Sequence, residues 1–289
     1  MFTGSYVALV TPFAKGEVDL KKLKELVDFH LQNGTDGLIP VGTTGESPVL
    51  SHDEKAAIIK TVVKQAKGRI PVVAGTGSND TAATIEYTRM AKELGADGAL
   101  IVTPYYNKPT QEGLFRHYEA VAKAVTIPIC LYNVPGRTAV NMTPETTARL
   151  SKIKTIVATK EASGNVEAVT QIRALCGLAI LSGDDSLTLP MMALGATGVI
   201  SVAANVAPRA VADLCTAANK GDFATARKMH ERLFGLFKGL FIETSPAPVK
   251  FAMKAMGLLN GELRLPLVEV TPPTEEKVRA ILKGLELVK

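Results

Sequence analysis

The chain is predicted to adopt an α/β fold, a (β/α)8 TIM barrel followed by a C-terminal helical region, on three observations. Apolar runs of strand length recur eight times, at 5–11, 36–41, 70–74, 97–102, 128–132, 155–160, 178–182 and 197–202, with amphipathic helical patterns between them. That is the strand–helix count of such a barrel. A weak internal repeat, Asn33-Gly34-Thr35-Asp36-Gly37, Leu94-Gly95-Ala96-Asp97-Gly98 and Leu194-Gly195-Ala196-Thr197-Gly198, closes a helix and opens a strand each time. Its first glycine tolerates a left-handed helix cap. Finally, the first strand is followed by Thr11-Pro12-Phe13 and not by the glycine-rich fingerprint of a doubly wound open sheet.

Beyond the eighth unit the pattern changes to helical segments near 223–240, 246–256 and 274–285, with no comparable strand runs between them. Residues 1–220 therefore read as the barrel with its active site and 221–289 as a helical region. With no low-complexity linker between them, the helices are expected to pack on the barrel or on a partner subunit.

Composition narrows the function. A chain of 289 residues with 46% hydrophobic content can bury a sizeable core. Met1-Phe2-Thr3-Gly4-Ser5 lacks the basic start and apolar run of a signal peptide, and no later window reaches membrane-spanning length. A soluble, cytoplasmic protein is the expectation. The net charge of +5 is scattered along the apparent helices, which suits small anionic substrates and argues against nucleic acid. Cys130, Cys176 and Cys215 lie far apart, and His30, His52, His117 and His230 are isolated from them and from one another. Neither metal nor disulfide spacing exists, so a metal-free mechanism is expected.

In a barrel the residues after each strand gather on one face, so they are read together. After the second strand, Gly42-Thr43-Thr44-Gly45-Glu46-Ser47 offers backbone amides and hydroxyls able to hold a small carboxylate, ahead of a capping-box signal at Ser51-His52-Asp53-Glu54. Gly75-Thr76-Gly77-Ser78-Asn79-Asp80, after the third, reads as a plain turn and cap. The fourth delivers Thr103-Pro104-Tyr105-Tyr106-Asn107, an aromatic pair in a loop of a chain with only six tyrosines, which points to function or an interface. In Tyr132-Asn133-Val134-Pro135-Gly136-Arg137-Thr138, after the fifth, the tyrosine can carry a proton and the arginine can grip a carboxylate bidentately.

The sixth run, Thr155-Ile156-Val157-Ala158-Thr159-Lys160-Glu161, is a buried strand ending in a lysine. An amine in a partly dry pocket at a strand's carboxyl end favours its neutral, nucleophilic form. The plainer alternative is that Lys160 snorkels or pairs with Glu161. The seventh strand delivers Gly183-Asp184-Asp185, which as structure alone is a helix cap, and the eighth Ile200-Ser201. Converging lysine, tyrosine, threonines and arginine suit Schiff-base chemistry on a keto acid, with aldolase, lyase and synthase all open.

Gly42–Ser47, Tyr132–Thr138 and Lys160-Glu161-Ala162-Ser163-Gly164-Asn165 together resemble the dihydrodipicolinate synthase family. The similarity extends to Phe2–Ser5, Thr103–Asn107, Leu181–Asp185 and Pro246-Ala247-Pro248-Val249-Lys250, nearly the whole chain. The resemblance implies condensation of pyruvate with L-aspartate 4-semialdehyde in the diaminopimelate route to lysine, no cofactor, and a homotetramer built as a dimer of dimers. It implies Lys160 as Schiff-base lysine and Tyr132, Thr43 and Tyr106 as a proton relay, Tyr106 coming from a neighbouring subunit. Thr44 and Ile200 would contact pyruvate, Gly183 would line the same mouth, and Arg137 would receive the aldehyde's carboxylate. A sister enzyme such as N-acetylneuraminate lyase would share the lysine, tyrosine and threonines, but tends to carry an apolar residue where this chain has Arg137. A noncatalytic keto-acid sensor is disfavoured by the intact set. Inhibited members bind L-lysine at positions matching Ser47, Pro48, His52, Lys55, Asn79, Ala83 and Tyr105. Lys55 and Ala83 depart from that pattern, and little inhibition by lysine is expected.

Overall fold

The computed structural model describes all 289 residues. Eight parallel strands form the ring: β1 Gly4–Ala8, β2 Gly37–Ile39, β3 Val73–Gly75, β4 Gly98–Val102, β5 Ile129–Asn133, β6 Ile156–Glu161, β7 Ala179–Ser182 and β8 Gly198–Ser201. Their order is β2-β1-β8-β7-β6-β5-β4-β3, and an isolated bridge between Leu38 and Val72 joins the two ends. The fold is thus the expected (β/α)8 barrel, with six of the eight strands shorter than the apolar runs. Pro71 has no N–H for a ladder, so β3 begins only at Val73. At the end of β1, Leu9 still donates to the Ile39 carbonyl, but the Val10 N–H turns to the Asn205 side chain at 3.2 Å.

A helix follows each strand: α1 Leu20–Gln32, α2 His52–Ala66, α3 Thr81–Glu93, α4 Gln111–Ala124, α5 Pro144–Leu150, α6 Glu167–Leu175, α7 Thr188–Ala193 and α8 Pro208–Asn219. Polar caps set where several begin. Asp19, Asp80, Thr110 and Thr143 each accept a backbone N–H of the first turn, and Ser51 with Glu54 forms the predicted capping box. Between β1 and α1 lies a hairpin absent from the sequence reading, Phe13–Ala14 against Glu17–Val18. Its turn residues Lys15 and Gly16 both have positive φ.

The internal repeat has a structural meaning beyond its glycines. Gly34, Gly95 and Gly195 sit at φ +73°, +89° and +99° and close α1, α3 and α7. Two residues on, a side chain ties the bottom of the barrel together. Asp36 accepts from Ser5 N at 2.7 Å, Asp97 accepts from Val72 N at 2.8 Å, and Thr197 donates to the Phe2 carbonyl at 2.8 Å.

Strand alternation sends every second side chain inward. Tyr6, Ile39, Val73, Leu100, Cys130, Ala158, Leu181 and Ile200 fill the barrel as one buried cluster. Outside the ring, a larger apolar core packs α1, α2 and α8 together with the C-terminal helices α9 Phe223–Gly239, α10 Ala247–Ala255 and α11 Pro272–Gly284. This core includes Leu233, Phe237, Val249 and Met253 and runs without a break across residue 220.

Candidate active site

Because alternation sets the direction of each side chain, Lys160 and Glu161 at the end of β6 point to opposite faces. Glu161 turns outward, accepting from Asn133 Nδ2 at 3.1 Å and from Ser163 N at 2.9 Å. Lys160 turns inward and is 5% exposed. The alternative in which the two residues pair is therefore not realised. Lys160 faces Tyr132 directly in the β5–β6 register, and its Nζ lies 4.1 Å from the centre of the tyrosine ring.

A small cavity of about 80 Å³ at the carboxyl end of the barrel is lined by Lys160, Tyr132, Thr43, Thr44, Arg137, Gly183 and Ile200, so seven of the eight predicted catalytic and substrate-binding residues converge there. Thr44 and Ile200 are buried, and Thr43 is half-buried. Gly183 keeps the lysine's space open. A Cβ at that position would lie 2.9 Å from Lys160 Cε and 2.4 Å from Ala162 Cβ.

Arg137 stands on a short helical turn, Pro135–Thr138, which the Thr138 hydroxyl closes by donating to the Val134 and Val140 carbonyls at 3.2 and 3.0 Å. Its guanidinium has no carboxylate partner and donates only to the Ser245 carbonyl, at 3.2 Å. It is a cation at the mouth with most of its donors free. Ser245 and Phe241, from the C-terminal region, complete this rim and were missed in the sequence. The Ser245-Pro246 pair marks the start of α10 but carries no sign of the contact with Arg137.

The acidic residues after β7 do separate work. Asp184 lines the cavity, and burial holds its carboxyl above the usual range against the opposing pull of Lys160 and Lys238. Asp185 is buried and accepts from Ser201 Oγ at 2.5 Å, Val202 N at 3.1 Å and Ala203 N at 3.0 Å, tying the β7 loop to the β8 loop. Burial raises its carboxyl too. It is thus a loop tie, where the sequence alone offered a helix cap.

A wider crevice of about 470 Å³ shares Thr43, Tyr132 and Arg137 with the cavity and extends to Ser47, Pro48, Lys55, Tyr87 and Tyr105. Lys55 lies over the Tyr87 ring at 4.2 Å, and burial lowers the pKa of its amine. His52 and Asn79 stand outside the crevice. His52 pairs with Glu86 at 3.3 Å, and the Asn79 carbonyl accepts from Asn107 Nδ2 at 2.8 Å. Tyr106 is the predicted residue that the single chain does not bring to the site. It is 88% exposed and sits at φ +74°. No three His, Cys, Asp or Glu side chains converge anywhere as they would to hold a metal ion, and no helix is long and apolar enough to cross a membrane.

The model of the dihydrodipicolinate synthetase family matches residues 1–285. The 4-hydroxy-tetrahydrodipicolinate synthase of Geobacter sulfurreducens is 56% identical over 290 residues, covering 100% of both chains. The crystal structure of dihydrodipicolinate synthase from Aquifex aeolicus superposes with a TM-score of 0.98 at 53% identity, covering 99% of each chain. That of the chloride-inhibited dihydrodipicolinate synthase from Acinetobacter baumannii complexed with pyruvate has a TM-score of 0.98 at 46% identity, covering 100% of each.

Proposed function

The chain belongs to the dihydrodipicolinate synthetase family, and we propose that it is a 4-hydroxy-tetrahydrodipicolinate synthase, joining pyruvate to L-aspartate 4-semialdehyde through an imine on Lys160. The observation that carries this is the buried amine of Lys160 against the Tyr132 ring, in one cavity with Thr43, Thr44 and an arginine that lacks a carboxylate partner.

The Lys160 amine adds to the keto carbon of pyruvate, and the carbinolamine loses its hydroxyl as water once Tyr132 has delivered a proton. The resulting iminium is an electron sink, so a methyl proton is lost and an enamine forms. The enamine carbon attacks the aldehyde carbon of the second substrate, making the carbon–carbon bond, and the aldehyde oxygen takes a proton to become a hydroxyl. The substrate's own amine then adds to the imine carbon and expels Lys160, closing the ring. Thr44 and the Ile200 backbone hold pyruvate, and Gly183 leaves room for the lysine to swing. Thr43 links Tyr132 to Tyr106 of a second copy, and Arg137 takes the aldehyde's carboxylate. We further assign the protein to the cytoplasm as a homotetramer of two dimers, with residues 1–220 as barrel and 221–289 as helical region.

Pyruvate with borohydride tests this. A covalent pyruvyl adduct on Lys160 is expected by mass spectrometry, absent in Lys160→Ala. Tyr132→Phe is expected to keep the fold and lose roughly two to four orders of magnitude in turnover of the two substrates. An adduct on another lysine, or none, refutes the mechanism.

A further inference from the structure

The loop between β2 and α2 carries Thr43 and Thr44, and its backbone is strained at both ends. Val41 sits at φ +58° and Glu46 at φ +57°. This left-handed region is unusual for any residue but glycine and an outlier for a β-branched one. Gly75 makes Val41 possible, since a Cβ there would lie 2.3 Å from the Val41 carbonyl oxygen. At the other end the Glu46 side chain is fully buried and pairs with Lys250 of α10, itself fully buried.

The pair is held on every side. Lys250 Nζ donates to the Glu262 carbonyl at 2.8 Å and lies over the Phe13 ring at 4.2 Å. The second Glu46 oxygen accepts from Arg264 N at 3.1 Å. The neighbouring Gly45 carbonyl accepts from Thr11 Oγ1 at 2.7 Å. Glu46 in turn passes its position on, because its N–H donates to the Thr43 carbonyl at 3.1 Å. Two charges withdrawn wholly from water lose hydration that their attraction roughly balances, so such a pair is weak ground for stability. It does fix where the strained loop ends.

We propose that Glu46 and Lys250 form a positioning strut that holds Thr43 and Thr44 in register with Lys160, so that α10 completes the site from outside the barrel. This rests on the assignment of those threonines to pyruvate. Displacing a substrate-positioning group by about 1 Å can lower a rate as much as a hundredfold, which sets the size of effect to look for.

The test is a double variant, Glu46→Met with Lys250→Met, which removes both charges and refills the volume with adaptable apolar chains. Turnover of pyruvate and semialdehyde by the parent chain, measured first, tests the site assignment itself; variant-to-parent ratios then test the strut. The variant is expected to unfold cooperatively in urea with a midpoint no lower than the parent's. With it should come a KM for pyruvate raised about tenfold, a kcat lowered about tenfold or more, and a KM for the semialdehyde within about twofold. A purely structural pair would scale kcat with the folded fraction and leave both KM values alone. If the double variant fails to unfold cooperatively, the same split is read from Glu46→Asp, which keeps the charge and withdraws it by one methylene. Parental constants, a change in kcat alone, or an equal rise in both KM values overturns the proposal.

Discussion

Arg137 is the residue whose surroundings most narrow the substrate. A guanidinium with five donors, bonded only to the Ser245 carbonyl, awaits a planar anion. On the proposed mechanism that anion is the carboxylate of the semialdehyde, so Arg137→Ala is expected to raise its KM by about tenfold or more, as for a lost charge-assisted bond. The KM for pyruvate should hardly change. Steady-state kinetics with each substrate varied in turn decides it, and equal effects on the two KM values would count against the assignment. Lys55 supports a second expectation at this scale. Free lysine presents two ammonium groups and one carboxylate, whereas the crevice around Ser47 and Tyr105 is lined by Lys55 and Arg137 with no carboxylate among its residues. Ala83 adds no anion, and Glu86, 3.3 Å from His52, is not among the residues that line the crevice. Each missing charge-assisted hydrogen bond costs about 1.5–3 kcal/mol, a tenfold to hundredfold loss of affinity. Initial rates should therefore be insensitive to physiological L-lysine, and strong inhibition at submillimolar concentration would refute this. Lys55→His combined with Ala83→Glu is expected to introduce sensitivity.

At the scale of elements, α1 carries a built-in acid sensitivity. His30 is fully buried, its Nδ1 lies 3.0 Å from Thr35 Oγ1, and burial lowers its pKa to about 3. In the unfolded chain the ring titrates near its ordinary value of about 6.5. Between these values the unfolded state binds the proton and the folded state does not. The stabilising contribution is thus fully present above about pH 6.5 and is lost progressively as the pH falls towards about 3, reaching ~2 kcal/mol at pH 5. Urea midpoints are expected to fall further between pH 7 and pH 5 for the parent than for His30→Gln, and an equal or smaller fall in the parent refutes the sign. What was legible in the sequence at this scale was what neighbouring residues encode. Apolar runs of strand length located all eight strands, the Ser51–Glu54 spacing marked its capping box, and the three glycine repeats marked helix ends. The tight hairpin at 13–18 escaped because its strands are only two residues each. The Glu46–Lys250 pair and the Ser245 contact with Arg137 escaped for another reason, that their partners are far apart in the chain and meet only through the closed barrel. Asp185 was visible as a residue, but its ties to Ser201, Val202 and Ala203 required the neighbouring strand.

At the scale of the whole molecule, one barrel gathers seven of the eight candidate residues and displays Tyr106 beyond them. Tyr105 turns into the crevice while its neighbour, at φ +74°, is 88% exposed, an uneconomical place for a tyrosine on a lone subunit. On the proposed assembly this side chain enters the site of a second copy, and a two-fold axis makes the exchange mutual. Complementation separates that arrangement from a relay within one chain. Tyr106→Ala retains Lys160, and Lys160→Ala retains Tyr106; each alone is expected to be nearly inactive. In a mixed dimer, the subunit that keeps Lys160 receives Tyr106 from its neighbour, which restores one site, while the other site lacks both residues. Random reassociation of equal amounts makes half of the dimers mixed, so about a quarter of the parental activity should return. If Tyr106 served its own subunit, no combination would contain a complete site. Unfolding the two variants together, refolding, and comparing turnover with that of separately refolded samples gives the answer: recovery supports exchange across the interface, and its absence in verified mixed oligomers rules it out.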